Sequence, residues 1–125
     1  MKLMLIIDDN VEFRTMVSDY FTDLEYTVEI AGNGREGLSK ARAIRPDIIL
    51  LDVMMPDIGG IEVLRALQTE DETRIIPVLV ITGSFFDKNM SELFKQETNC
   101  REFMSKTVEL SYLEKKVEAV ALKRP

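Results

Sequence analysis

The stretch RPDIILLDVMMPDIGG, residues 45–60, decides the architecture. Ile48 to Leu51 are consecutive apolar residues, set between Pro46, which ends a preceding helix, and the acidic Asp52. A strand with one wet face alternates apolar and polar side chains. A strand without that alternation is buried on both faces, and the cover comes from crossover helices that join parallel strands. Asp52 therefore stands at the carboxyl end of a buried strand, followed by a loop rich in turn residues, Pro56, Gly59 and Gly60.

Working outward, Leu3 to Ile7, Thr27 to Ala31, Val78 to Ile81 and Glu102 to Met104 are four further short strand candidates. Longer segments separate them. Phe13, Met16, Val17, Tyr20, Phe21 and Leu24 recur at helical spacing and predict a first helix with one apolar stripe. Asn33 with Glu36 three residues later can satisfy the free N–H groups of a second helix, which ends before Pro46. Gly60–Thr69, about Asp87–Gln96 and about Glu109–Leu122 are the third, fourth and fifth helices. The predicted fold is a doubly wound α/β sandwich, a five-stranded parallel sheet flanked by five helices. One domain is expected over residues 1–122, with 123–125 a frayed end or the start of a linker.

The 125 residues are 46% hydrophobic, enough for one core. Sixteen basic residues stand against 22 acidic ones, a formal charge of −6, and no Lys/Arg run offers the footprint that nucleic acid needs, so direct nucleic-acid binding is not expected. The apolar runs fall far short of the ~20 residues that span a bilayer, and MKLMLII leads straight into Asp8 and Asp9. No signal peptide or membrane anchor is expected, and the cytoplasm is the expected location. Cys100 has no second cysteine to bridge and reads as an idle thiol. With no histidine in the chain, Ser-His and Cys-His pairs, histidine zinc sites and an internal phosphohistidine are excluded.

In open α/β sheets ligands bind outside the carboxyl ends of the strands. Strand one leads into Asp8 and Asp9, strand three into Asp52, strand four into Thr82 and strand five into Lys106. Three crowded carboxylates raise one another's pKa unless a cation sits among them, and an all-oxygen set suits Mg²⁺. Each residue also has a plainer reading. Asp9, like Asn10, could cap the helix beginning at Val11, Thr82 could be a turn residue and Lys106 a solvated charge. Their joint placement at successive strand ends favours a site.

The acidic pair in IIDDN, Asp52 in ILLDVMMPDIGG, the hydroxyl in VLVITG and the lysine in FMSK resemble, in order and spacing, the receiver domains of bacterial two-component signalling. The resemblance runs over nearly the whole chain and implies a flavodoxin-like fold. It implies that Asp52 is a phosphoacceptor, that Asp9 and Asp52 bind Mg²⁺ directly, Asp8 through water and Met54 through its backbone carbonyl. Thr82 and Lys106 would hold the phosphoryl oxygens while Phe103 moves inward, the alternative for Phe103 being a permanent core aromatic. A sensor histidine kinase or phosphotransfer protein would be the donor. The fourth helix, strand five and fifth helix would face a downstream protein or an output domain outside this chain, and a phosphorylation-dependent homodimer is a further possibility. Such a domain assists only its own phosphorylation and dephosphorylation. Met54 and Ser84 occupy positions that in the family influence the hydrolysis rate.

The pattern departs from the family at Thr107, where proline usually follows the lysine, commonly through a cis bond. A non-proline cis bond costs ~2.5–4 kcal/mol, so either the bond is trans and Lys106 is placed differently, or strain is tolerated beside the site. Ile58-Gly59-Gly60 replaces a more usual Asp-Gly pair, which implies local flexibility. Phe85 and Phe86 lead into the fourth helix as core or as partner surface. One rival is a receiver-like interaction module that is not phosphorylated. A haloacid dehalogenase phosphatase would need a second Asp where Met54 stands, and a flavodoxin would need a Ser/Thr/Gly-rich loop where this chain has Asp8-Asp9-Asn10.

Overall fold

The computed structural model describes residues 2–83 and 88–123. Eleven elements follow one another along them: β1 Leu3–Ile7, α1 Val11–Asp23, β2 Thr27–Ala31, α2 Gly34–Ile44, β3 Ile48–Asp52, α3 Gly60–Leu67, α4 Asp71–Arg74, β4 Val78–Thr82, α5 Lys88–Lys95, β5 Cys100–Ser105 and α6 Leu110–Val120. The five strands form one parallel sheet in the order β2-β1-β3-β4-β5. The chain thus starts near the middle, winds out to one edge, and returns across β1 to the other, which puts the reversal of strand order between β1 and β3.

Period-two side-chain placement divides the core between the sheet's two faces. Met4, Ile6, Ile48, Leu50, Leu79 and Ile81 pack with Val17 and Phe21 of α1 and with Leu113 and Val117 of α6. Leu5, Ile7, Ile49, Leu51, Val78 and Val80 face the other way, against Leu38 and Ala41 of α2, Val63 and Leu64 of α3 and Phe94 of α5. Every residue of β3 and β4 is buried, as the unbroken apolar run implied. Each such Ile, Leu or Val withdrawn from water contributes roughly 1.5–3 kcal/mol before entropy is counted.

The helix starts follow their caps. The Asn10 side chain accepts from the Phe13 N–H at 2.9 Å, and that of Asn33 from the Glu36 N–H at 2.8 Å. Arg45, in the left-handed region at φ 46°, ends α2 ahead of Pro46. The helix predicted to begin at Gly60 ends at Leu67 rather than Thr69, and the fourth and fifth predicted helices are α5 and α6.

Two expectations are corrected. Six helices flank the sheet among the described residues, not five, because the short α4 forms between α3 and β4. Strand five is Cys100–Ser105 rather than Glu102–Met104, and it carries an irregularity, since Val78 pairs with Cys100 and Leu79 with Glu102, leaving Arg101 between them. Ser84, Phe85, Phe86 and Asp87, with Arg124 and Pro125, lie outside the described residues, and so do the expectations attached to them. Leu122 is held to the sheet's lower edge, its N–H donating to the Asp47 carbonyl at 3.0 Å. Among the described residues no helix is long and apolar enough to cross a membrane.

Candidate functional site

Asp52 is the last residue of β3, and its position follows from the run that buries the strand. β1 lies beside β3, so the residues following Ile7 arrive at the same edge. Carboxylate oxygens of Asp8, Asp9 and Asp52 lie within 4.8 Å of one another. Asp8 is fully buried and Asp52 is 5% exposed, while Asp9 stands open to solvent. The cap of α1 is Asn10, which leaves the Asp9 carboxylate for other work.

Asp8 is fixed from several sides. Its Oδ1 accepts the Asn10 N–H at 2.8 Å, its carbonyl accepts from Arg14 Nη1 at 3.1 Å, and its Oδ2 lies 2.7 Å from Lys106 Nζ. Lys106 also lies 3.7 Å from Asp52 Oδ1, and its ammonium sits 4.6 Å from the centre of the Phe13 ring. The lysine therefore spans β1 and β3 from beyond β5. Its stem passes Gly83, where a Cβ would come 3.2 Å from Lys106 Cδ.

Thr82 ends β4, buried, opposite Ser105 of β5, and its carbonyl accepts the Lys106 N–H at 2.9 Å. The Lys106–Thr107 bond is trans, no cis bond occurring among the described residues. The turn is held instead by Ser105, whose Oγ accepts the Thr107 N–H at 3.1 Å and lies 2.8 Å from Thr107 Oγ1. A trans bond is thus compatible with a lysine that meets both Asp8 and Asp52.

The Asp52 carboxyl is pushed up to about 6, by burial first and then by the charge of Asp8, with Asp9 adding to the effect. Lys106 and a hydrogen bond from the Met54 backbone N–H pull the other way. Three carboxylates against one lysine leave an excess of negative charge. This all-oxygen set fits a hard divalent cation, which would relieve the repulsion now raising Asp52.

The Met54 side chain is exposed, in a loop closed by the Gly60 N–H donating to the Val53 carbonyl at 3.0 Å. Phe103 lies apart from the carboxylates. It is 4% exposed, in the core beneath α5, with its ring centre 5.3 Å from that of Phe94. Burial pushes the Cys100 thiol up to about 11, so it is protonated and inert at neutral pH.

Two participants escaped the sequence reading. Phe13 belongs to the apolar stripe of α1, and nothing in its spacing marks it as a platform for Lys106. Asp57 caps α2, accepting from the N–H groups of Gly34 at 3.0 Å and Arg35 at 2.9 Å, and Asn33 already looked sufficient for that helix start.

The sequence profile of the response regulator receiver domain matches residues 4–118. The polar-differentiation response regulator DivK of Brucella anthropi is 35% identical over 107 residues, covering 86% of this chain and 85% of its own. The protein PilH of Pseudomonas aeruginosa is 29% identical over 120 residues, covering 96% and 98%. Among solved structures, the chemotaxis protein CheY4 of Vibrio cholerae superposes with a TM-score of 0.87 at 31% identity, over 96% of this chain and 98% of that one.

Proposed function

This chain belongs to the response regulator receiver domain family, whose members are phosphorylation-dependent switches of two-component signalling, and we propose that Asp52 is its phosphoacceptor. The observation that carries the assignment is the setting of Asp52. It is a buried carboxylate at the carboxyl end of the central strand, with Asp8 and Asp9 on one side and Lys106 3.7 Å away.

In this reading an Asp52 oxygen attacks phosphorus, the new O–P bond forms as the bond to the donor breaks, and the donor leaves with its electron pair. Donors are a sensor histidine kinase or a phosphotransfer protein. The transferred group carries its own negative charge, so the protein's work is positioning and neutralisation. Lys106, held by Asp8 and Phe13, supplies a fixed positive charge beside Asp52. Asp9 and Asp52 directly, Asp8 through water and Met54 through its carbonyl would hold Mg²⁺, which when bound would neutralise charge on the phosphoryl oxygens. Asp52 must be ionised to attack, and its raised pKa keeps a proton on part of the population near pH 6 in the metal-free protein.

The added phosphoryl group then offers acceptors to the Thr82 hydroxyl and to Lys106, and Phe103 with α5, β5 and α6 forms the responding element. The output is contact with a downstream protein or with an output domain, and phosphorylation-dependent pairing of two copies is a further outcome of the same change. The chain is not a turnover enzyme in this reading, since it acts only on its own acyl phosphate. The exchange takes place in the cytoplasm, and residues 1–122 are the switching domain.

The test is intact-mass analysis after incubation with acetyl phosphate, with and without Mg²⁺. A magnesium-dependent gain of one phosphoryl group is expected. No gain with any small donor would leave a receiver-like interaction module in its place.

A further inference from the structure

The loop that follows Asp52 is tied down at two places. One lies within its own strand-to-helix connection: the Gly60 N–H bonds to the Val53 carbonyl at 3.0 Å, and a Cβ on Gly60 would come 2.9 Å from the Asp52 carbonyl oxygen. The other belongs to a different element. Asp57 Oδ1 accepts the Gly34 N–H at 3.0 Å and Oδ2 accepts the Arg35 N–H at 2.9 Å, so one carboxylate closes two of the free donors at the start of α2. The arrangement is charge-assisted and sits at the positive end of the helix dipole. The hydrogen bond from Arg35, above all, holds the Asp57 carboxyl below its ordinary range.

Ile58 completes the seat. A Cβ on Gly34 would lie 2.5 Å from Ile58 Cγ1 and 3.0 Å from Val63 Cγ2, so Gly34 is the space into which the loop packs. Gly59, by contrast, has nothing within 4 Å of where its Cβ would be. The middle of the loop is therefore held to the body of the protein through Asp57 and Ile58. On the side towards Asp52 it carries Met54, two residues along the chain from that carboxylate.

We propose that Asp57 is a positioning residue for phosphoryl transfer. Seated on the first turn of α2, it fixes the loop that presents the Met54 backbone to Asp52. The role rests on Asp52 being the acceptor. A cap that served only to stabilise α2 would be interchangeable in effect with Asn33, which closes the third donor of the same turn through the Glu36 N–H at 2.8 Å. Asp57 differs in that its removal frees the loop as well as the helix end.

The experiment compares Asp57→Ala, Asp57→Asn and Asn33→Ala with the natural chain. It reads hydrogen exchange of the Met54 amide without metal, and the rate of phosphoryl uptake from acetyl phosphate with Mg²⁺. Asp57→Ala is expected to speed Met54 exchange by about tenfold or more, and to slow uptake by about threefold or more. Asp57→Asn keeps one acceptor oxygen and is expected to fall between. Asn33→Ala is expected to leave both readings within about twofold of the natural chain while lowering the melting temperature as much as Asp57→Ala does. Asp57→Ala matching a phosphorylated natural chain, or Asn33→Ala slowing uptake equally, would overturn the positioning role alone. A natural chain that takes up no phosphoryl group would overturn the acceptor reading and this role with it.

Discussion

Lys106 pairs more closely with Asp8 than with Asp52, at 2.7 Å against 3.7 Å. The lysine is thus anchored on a carboxylate that is not the proposed acceptor and reaches the acceptor from there. Lys106 and a bound cation draw on the same negative charge, so Lys106→Met is expected to tighten Mg²⁺ binding about threefold to tenfold. It is also expected to slow phosphoryl uptake about tenfold or more. Isothermal titration and acetyl phosphate kinetics on the same variant check both, and opposite signs are the signature.

Asp52 bears on stability with a definite sign. Its folded-state pKa, about 6, lies above its unfolded value near 3.8, so the folded state binds the proton more tightly. The favourable contribution is full below the unfolded value and is lost as pH rises through about 6. Solvent on the open side of the site screens part of the effect, and Asp52→Asn is expected to stabilise the metal-free protein by about 1–2 kcal/mol at slightly alkaline pH. The gain should vanish near pH 4, as urea denaturation at the two pH values would record.

In the proposed site protons and Mg²⁺ would compete for the Asp52 carboxylate. Mg²⁺ affinity is expected to fall below about pH 6, approaching tenfold per pH unit, and to level off above it. Calorimetric titration across that range locates the break. A break at the ordinary carboxylate value would mean that neither burial nor the repulsion from Asp8 and Asp9 raises Asp52.

Gly60→Ala places a methyl group 2.9 Å from the Asp52 carbonyl oxygen and 3.1 Å from Val53 Cα, both backbone atoms that cannot swing away. Destabilisation of about 1–3 kcal/mol is expected, with phosphoryl uptake reduced because the strain falls on Asp52 itself. Gly59→Ala, with open space around it, serves as the control in the same denaturation series.

Thr82→Val keeps the buried volume at the end of β4 and removes the hydroxyl. Phosphoryl uptake is expected to persist, while the amide shifts of α5 and β5 expected of the phosphorylated natural chain are lost. Phe103→Ala, truncating a core ring packed on Phe94, is expected to cost about 3–5 kcal/mol by denaturant unfolding.

The fold was legible where burial is uniform. Ile48 to Leu51 and Val78 to Ile81 are buried throughout, so their composition declares them. β5 was harder, because Arg101 is exposed and Glu102 half-buried, and the charges mask a strand whose irregularity sets Arg101 apart. The segment Asp71–Arg74 is too short to show any helical period. At the site, residue types at strand ends were readable, because the topology brings strand ends together. The roles of Phe13 and Asp57 were not, since each depends on a contact across the chain: a ring beneath the ammonium of Lys106, and a carboxylate capping a helix that begins at Gly34. Thr107 was the reverse case, an apparent obstacle that Ser105 accommodates by local hydrogen bonds.

The most direct test of the central claim is to locate the phosphoryl group. Borohydride reduces an acyl phosphate of aspartate to homoserine, so protein treated with acetyl phosphate and Mg²⁺, then reduced and digested, reports the modified residue by peptide mass. Homoserine at position 52, absent when Mg²⁺ is withheld, is the predicted result. Homoserine at Asp8, Asp9 or Asp57 instead, or at no position in protein that has gained the mass of a phosphoryl group, would contradict the account.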